Sequence, residues 1–210
     1  MSAASDPLRL AELICARMSH DLGGTIGTLA GALELAEDPS VASEALALAS
    51  QAAVELRQRL ELQRATWGPT GGSLDLAAIR DLAEGLPQGR RVTVNFSHLP
   101  ENTVFAPPFA RVLLNLLMLA GDALNGTGEA TLSGTSTDLV IAIAGPRAAW
   151  PSGLASCLAS DAGAWAALRD ARSLQMPLTA LLARALGLRL TMLMPPGAGG
   201  PAPPLRLCEA

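Results

Sequence analysis

PLRLAELICARMSHDLGGTIGTLAGALELAEDPS, Pro7 to Ser40, decides the fold. No proline interrupts it between Pro7 and Glu37, and Ile14, Met18, Leu22, Ile26, Leu29, Leu33 and Ala36 recur close to the helical period, which predicts one long amphipathic helix. Asp38-Pro39-Ser40 then reads as a stop and a restart, with Asp38 as N-cap and Pro39 as the first residue of a second helix. That helix is expected from Pro39 to about Thr66, carrying Val41, Ala45, Leu48, Ala52, Leu56 and Leu60 on one face. Arg57, Arg59 and Arg64 lie near its C-terminal end, where cations favour the helix dipole. Two long helices joined by a short turn make an antiparallel hairpin. Its apolar stripe has only one partner within the chain, so a four-helix bundle across a homodimer is the expected remedy.

Trp67-Gly68-Pro69-Thr70-Gly71-Gly72-Ser73 is a cluster of breakers and marks the expected boundary between a domain at 1–67 and another at 73–210. Beyond it, Asp75 to Leu86 reads as a short helix, Arg91 to Ser97 alternates like a strand, and Pro107 to Leu124 is an apolar helix opened by two prolines. Glu129 to Ser133 and Leu139 to Ala144 form the expected hairpin around Gly134 to Asp138. Helical stretches follow near Pro151 to Ser160 and Leu174 to Leu186, then a strand at Leu188 to Met194, a Pro/Gly-rich loop and a last strand at Leu205 to Cys208. The second part is thus a mixed layer of helices over a largely antiparallel sheet, and the fold class is α+β.

With 210 residues, half of them hydrophobic, the chain can bury a substantial core. A net charge of −4 and scattered cations, all of them arginine, argue against nucleic acid as a partner and indicate a GC-rich bacterial genome. Cys15, Cys157 and Cys208 are odd in number and far apart, which suggests neither a disulfide framework nor a metal site and favours a reducing cytoplasm. Asp6, Arg9 and Glu12 interrupt the beginning, so no export signal is expected. The most apolar run, Val112 to Ala120, contains Asn115 and is shorter than the roughly 20 residues that cross a bilayer; no membrane span is expected.

Chemistry concentrates at His20, in Arg17-Met18-Ser19-His20-Asp21-Leu22. Each helical residue advances about 100°, so His20 projects opposite the apolar stripe and into water. Gly23, Gly24, Gly27 and Gly31 leave the strip beyond it almost bare, although each glycine costs about 0.5 to 1 kcal/mol against alanine inside a helix. A protein whose partner must bring its backbone close to His20 would need such a strip, with Thr28 beside it. The competing explanation is tight packing against a neighbouring helix.

A Ser19-His20-Asp21 triad is excluded because neighbours on a helix point apart, and two histidines without ligands at metal spacing make no coordination shell. His98, in Ser97-His98-Leu99-Pro100, is read as a loop residue. What remains is phosphoryl chemistry on the imidazole of His20, with Asp21 setting its tautomer or simply pairing with Arg17 four residues away. Folding the hairpin about residue 38 sets Arg57 level with His20, and Arg57 and Arg17 are the candidates to attract a phosphoryl group; a solvated surface role is the alternative for both.

Ser19-His20-Asp21-Leu22 on the first helix of a hairpin resembles the H-box of sensor histidine kinases, and Arg111-Val112-Leu113-Leu114-Asn115-Leu116-Leu117-Met118-Leu119-Ala120 is similar to the N-box helix of their ATP-binding domain. The departures are specific. Leu119 stands where the kinases carry a second asparagine for Mg²⁺ and phosphates, and it cannot be a ligand. Val140-Ile141-Ala142-Ile143 leads to Ala144-Gly145-Pro146-Arg147 instead of an Asp-x-Gly-x-Gly turn, and Ser173-Leu174-Gln175-Met176-Pro177 replaces the glycine-rich lid. An intact phosphoacceptor motif beside a degraded nucleotide site resembles the dimeric histidine phosphotransferases of the ChpT type from alphaproteobacteria. Gly23-Gly24-Thr25 stands where those proteins carry a serine or threonine and a proline.

The resemblance implies a degenerate histidine-kinase-ATPase-like α/β sandwich after the helical hairpin. It implies a cytoplasmic phosphorelay carrier in which His20 takes a phosphoryl group from the aspartate of one receiver domain and passes it to another, without ATP. The implied partners are the receiver of a hybrid histidine kinase and one or more response regulators; the implied cofactor is Mg²⁺ brought by the receiver, with none held by this chain. Catalysis falls to His20 and Asp21, and docking to Arg17, Gly23, Gly24, Gly27, Thr28 and Arg57. The competing functions are an adaptor that binds receivers with His20 incidental, and an atypical ATP-dependent histidine kinase.

Overall fold

The computed structural model describes residues 5–69, 71–86, 91–193 and 202–209. Helices α1 (Ser5–Leu35) and α2 (Ala42–Trp67) fold back on one another as the hairpin. The second helix starts three residues later than Pro39, because Asp38 does not cap it. Its carboxylate instead accepts the Ser40 amide at 2.9 Å and the Ser40 hydroxyl at 2.7 Å, closing the turn on itself. Val41 precedes α2 with no side-chain cap.

The inward face of α1 is also displaced from the expected stripe. Leu13, Arg17, Asp21 and Thr25 are buried, whereas Ile26 and Leu33 of the predicted apolar face remain 50% and 51% exposed. Periodicity counts only apolar residues, and here two charged ones turn inward because each finds a partner there. On α2 the small residues Ala45, Ala49 and Ala52 are buried, leaving Leu46, Leu48, Val54 and Leu60 exposed.

The rest of the chain is α+β, and with it the described residues contain seven helices and a mixed sheet. A short strand β1 (Leu74–Asp75) leads into α3 (Leu76–Ala83), whose first turn is capped by Asp75 accepting from the Ala78 amide at 2.8 Å. Strand β2 (Val92–His98) follows, then β3 (Val104–Phe105), which pairs with β1, and helix α4 (Pro107–Leu124). Strands β4 (Gly128–Gly134) and β5 (Asp138–Ala144) form the expected hairpin. Helices α5 (Leu154–Ala159), α6 (Asp161–Ala167) and α7 (Gln175–Ala185) precede β6 (Leu188–Met192) and β7 (Leu205–Glu209). The five-stranded order is β2-β4-β5-β7-β6, antiparallel except for the β2–β4 pair.

The two-residue strands β1 and β3 and the seven-residue α6 escape the sequence reading because they are too short to display a period. His98 is the exposed last residue of β2, not a loop residue. Met194, expected at the end of a strand, and most of the Pro/Gly-rich loop lie outside the described residues.

Helix α4 is the spine of the core. Two prolines open it, where a missing amide hydrogen costs nothing, and Asn125 ends it in the left-handed conformation at φ 51°. Its 18 residues are apolar enough to span a bilayer by composition, yet 78% of them are buried inside the fold, against Leu132, Ile141 and Leu207 of the sheet among others. Leu62, near the end of α2, belongs to the same core, so the hairpin is packed onto this layer. At Gly85 the turn after α3 touches α2, where a Cβ would collide with the carbonyl of Gln58.

Candidate functional site

Helix α1 presents His20 with 71% of its side chain exposed. Its Nδ1 lies 3.2 Å from Oδ1 of Asp21, which is buried at 8%. A carboxylate only accepts, so this contact places the proton on Nδ1 and, in the neutral ring, leaves the lone pair on Nε2. Adjacent residues on a helix do, then, make one link of the kind that a triad would need; Ser19 takes no part in it.

Asp21 is held in turn. Arg17 donates through Nε to Oδ2 of Asp21 at 2.7 Å, and through Nη2 and Nη1 to Oδ1 and Oδ2 of Asp122 on α4 at 3.0 and 3.3 Å. A further Nη1 contact reaches the carbonyl of Arg172 at 3.4 Å. Burial alone would lower the pKa of Arg17, but the hydrogen bonds and charges of Asp122 and Asp21 outweigh it and raise the value, so the guanidinium stays charged. From α2, Arg59 donates to the main-chain carbonyl of Asp21 at 2.8 Å.

The candidate docking residues separate into two groups. Gly23, Gly24 and Gly27 are exposed, and a Cβ at any of them or at Gly31 would meet nothing within 4 Å in this chain. Packing inside the chain therefore does not explain the glycines. Thr28 is exposed beside them, its hydroxyl donating to the Gly24 carbonyl at 3.1 Å.

Arg17, by contrast, is buried between two carboxylates, with its donors committed to Asp21 and Asp122. Arg57 is exposed, with Glu61 at 4.0 Å, and the residue of α2 that reaches the His20-Asp21 segment is Arg59.

Arg59 and Asp122 are the residues that sequence reasoning missed. Asp122 had a signal: it is the one acid in a largely apolar helix, and such a group is rarely drawn inward without a partner.

The positions that depart from the kinase pattern are also placed. Leu119 is fully buried, and Ala144 is exposed at the end of β5. Asn115 is fully buried and committed inside the fold: its amide donates to the carbonyls of Thr66 and Arg111 at 3.2 and 2.9 Å, and its oxygen accepts from the Trp67 indole at 3.2 Å. Among the described residues no group of three His, Cys, Asp or Glu side chains could hold a metal ion.

Comparison with known proteins agrees in its coarse outline. The C-terminal domain of histidine phosphotransferases matches residues 76–196. The protein phosphotransferase ChpT of Brucella abortus (strain 2308) is 28% identical over 201 residues, covering 88% of this chain and 90% of its own length. A solved structure of a bacterial phosphotransferase superposes with a TM-score of 0.71 at 24% identity, covering 99% of this chain and 97% of that one, which shows a shared fold.

Proposed function

Because this chain belongs to the histidine phosphotransferase family, of the ChpT type, we propose that it is a phosphorelay carrier in which His20 receives a phosphoryl group from the aspartate of one receiver domain and delivers it to that of another. The observation that carries this reading is the exposed imidazole of His20 with its Nδ1 facing Asp21, which leaves Nε2 as the nitrogen free of that contact. In the forward step the receiver's P–O bond breaks, a P–N bond forms at Nε2, and the aspartate leaves as a carboxylate; the return step reverses both. Nδ1 keeps its proton throughout, and Asp21 stabilises the positive charge that the ring acquires. Mg²⁺ brought by the receiver would supply charge neutralisation on the transferring phosphoryl group.

Several finer features belong to the same proposal. Residues 1–67 act as the dimerisation and phosphotransfer domain, and residues 73–210 as a histidine-kinase-ATPase-like domain that binds no ATP. Asn115, turned to the internal hydrogen bonds described above, and the buried Leu119 support that reading. Exposed apolar side chains on both hairpin helices, Ile26, Leu33, Leu46 and Leu48 among them, support a four-helix bundle between two copies. The strip from Gly23 to Thr28 is the surface on which receivers of a hybrid kinase and of response regulators dock, in the cytoplasm and without nucleic acid or membrane.

The test is incubation with a receiver carrying a radiolabelled aspartyl phosphate. Wild-type protein acquires an acid-labile label and passes it to a second receiver, while His20→Ala acquires none. Equal labelling of His20→Ala overturns the proposal, as does binding of receivers with no transfer at all.

A further inference from the structure

Asp122 lies on α4, 105 positions beyond Arg17 in sequence, yet the buried guanidinium of Arg17 joins it to the carboxylate that faces His20. We propose that Asp122 is a positioning residue for His20, acting through Arg17 and Asp21. This deepens the reading of His20 as the phosphoryl carrier and rests on it.

The argument is one of competing geometry. A guanidinium presents its donors as a fork, and a lone carboxylate facing it takes two of them with both oxygens. Here Asp122 occupies Nη1 and Nη2, so Arg17 offers Asp21 only Nε, at Oδ2. Oδ1 of Asp21 is thereby left for Nδ1 of His20. Without the Asp122 carboxylate, the freed Nη2 of Arg17 attracts Oδ1 as well, drawing it from the imidazole. The ring then loses the acceptor that holds its proton on Nδ1 and returns to the tautomer preferred by free imidazole, with the proton on Nε2. That is the wrong nitrogen, because a protonated Nε2 has no lone pair with which to attack phosphorus. Asp122 therefore makes the nucleophile available without touching it. A consequence is that the seating of α4 against α1 sets the readiness of His20.

The experiment is ¹⁵N NMR of the imidazoles in full-length, unphosphorylated protein, recorded at the alkaline plateau where the ring shifts no longer change with pH. His98, exposed at the end of β2, is the internal reference. In wild-type protein His20 carries its proton chiefly on Nδ1. In Asp122→Asn the ratio of Nδ1–H to Nε2–H at His20 falls about tenfold, the scale of one charge-assisted hydrogen bond, while His98 is unmoved. Asp122→Glu, which keeps the carboxylate, restores the wild-type ratio. An unmoved His20 in Asp122→Asn, or a displacement that Asp122→Glu shares, overturns the inference. Since this readout needs no phosphotransfer, it is separate from the labelling of His20→Ala, on which the carrier reading stands or falls.

Discussion

Gln175 of α7 donates through Nε2 to both oxygens that Asn115 of α4 offers, the main-chain carbonyl at 2.9 Å and the side-chain Oδ1 at 3.1 Å. Together with the bonds from Asn115 to Thr66 and from Trp67 to Asn115, this ties the end of α2, the core helix and α7 at one buried point. The asparagine that in a kinase would face a nucleotide is here part of what seats the hairpin.

Asn115→Leu should therefore destabilise the protein by about 2 kcal/mol, since the Trp67 indole loses its acceptor while the Thr66 carbonyl and the Gln175 amide each lose one of their partners and keep others. The denaturant midpoint in urea is the measurement. A change within about 0.5 kcal/mol, the usual range for surface substitutions, would mean that these bonds do not hold the helices together.

Acid stability follows from four exposed carboxylates. The hydrogen bond from Arg206 holds Asp138 below its ordinary value of 3.8, and that from Arg80 holds Glu101 below 4.5. Amide donation from Ser173 and Ser40 lowers Asp170 and Asp38 likewise. A carboxylate whose folded pKa is depressed stabilises the protein above its unfolded pKa, and that contribution is lost as pH falls through the folded value. These groups should accordingly add nothing to the pH dependence above about pH 5 and should weaken the fold below it. In urea titrations run from neutral to acid pH, Asp138→Asn should show a shallower fall than wild type below the ordinary aspartate range; parallel curves would contradict the Arg206–Asp138 contribution.

The sequence made much of this architecture legible. The hairpin, the bounds of α4 and the β4–β5 pair all have strong local signals: a sustained helical period, paired prolines before an apolar run, and alternation around a turn. That His20 projects into water was legible too, because it lies within a single long helix. The Arg17–Asp122 bridge was not. It joins residues 105 positions apart, and no local pattern encodes which two helices meet. The face of α1 was misassigned because a period built from apolar residues is blind to an ion pair turned inward.

Dimerisation can be probed at the exposed apolar side chains. Leu46 and Leu48 are about half exposed on α2, as is Ile26 on α1, and a glutamate at such a position keeps the helix while placing a charge in any interface formed there. Sedimentation equilibrium should find wild-type dimer and a monomeric Leu48→Glu variant that retains its helical circular dichroism. If Leu48→Glu, Leu46→Glu and Ile26→Glu all remain dimers of wild-type affinity, the bundle does not form through these side chains.

The glycine strip allows stability and function to be moved in opposite directions. A Cβ added at Gly27 meets nothing within 4 Å, and α1 is a regular helix there, so Gly27→Ala should stabilise the protein by about 0.5 to 1 kcal/mol through helix propensity alone. The same space is where a receiver's backbone must approach if the strip is a landing surface. Gly27→Leu, with a helix-favouring but bulky side chain, should therefore keep or raise stability while slowing transfer from a phosphorylated receiver to His20 by tenfold or more, on the order of 1.4 kcal/mol in the transition state. Thermal unfolding and the initial rate of labelling, measured on the same samples, give the two quantities. Were both variants to transfer at the wild-type rate, receivers would have to reach His20 from another side. Were both instead to lower the dimer affinity, the glycines would serve close packing between two copies.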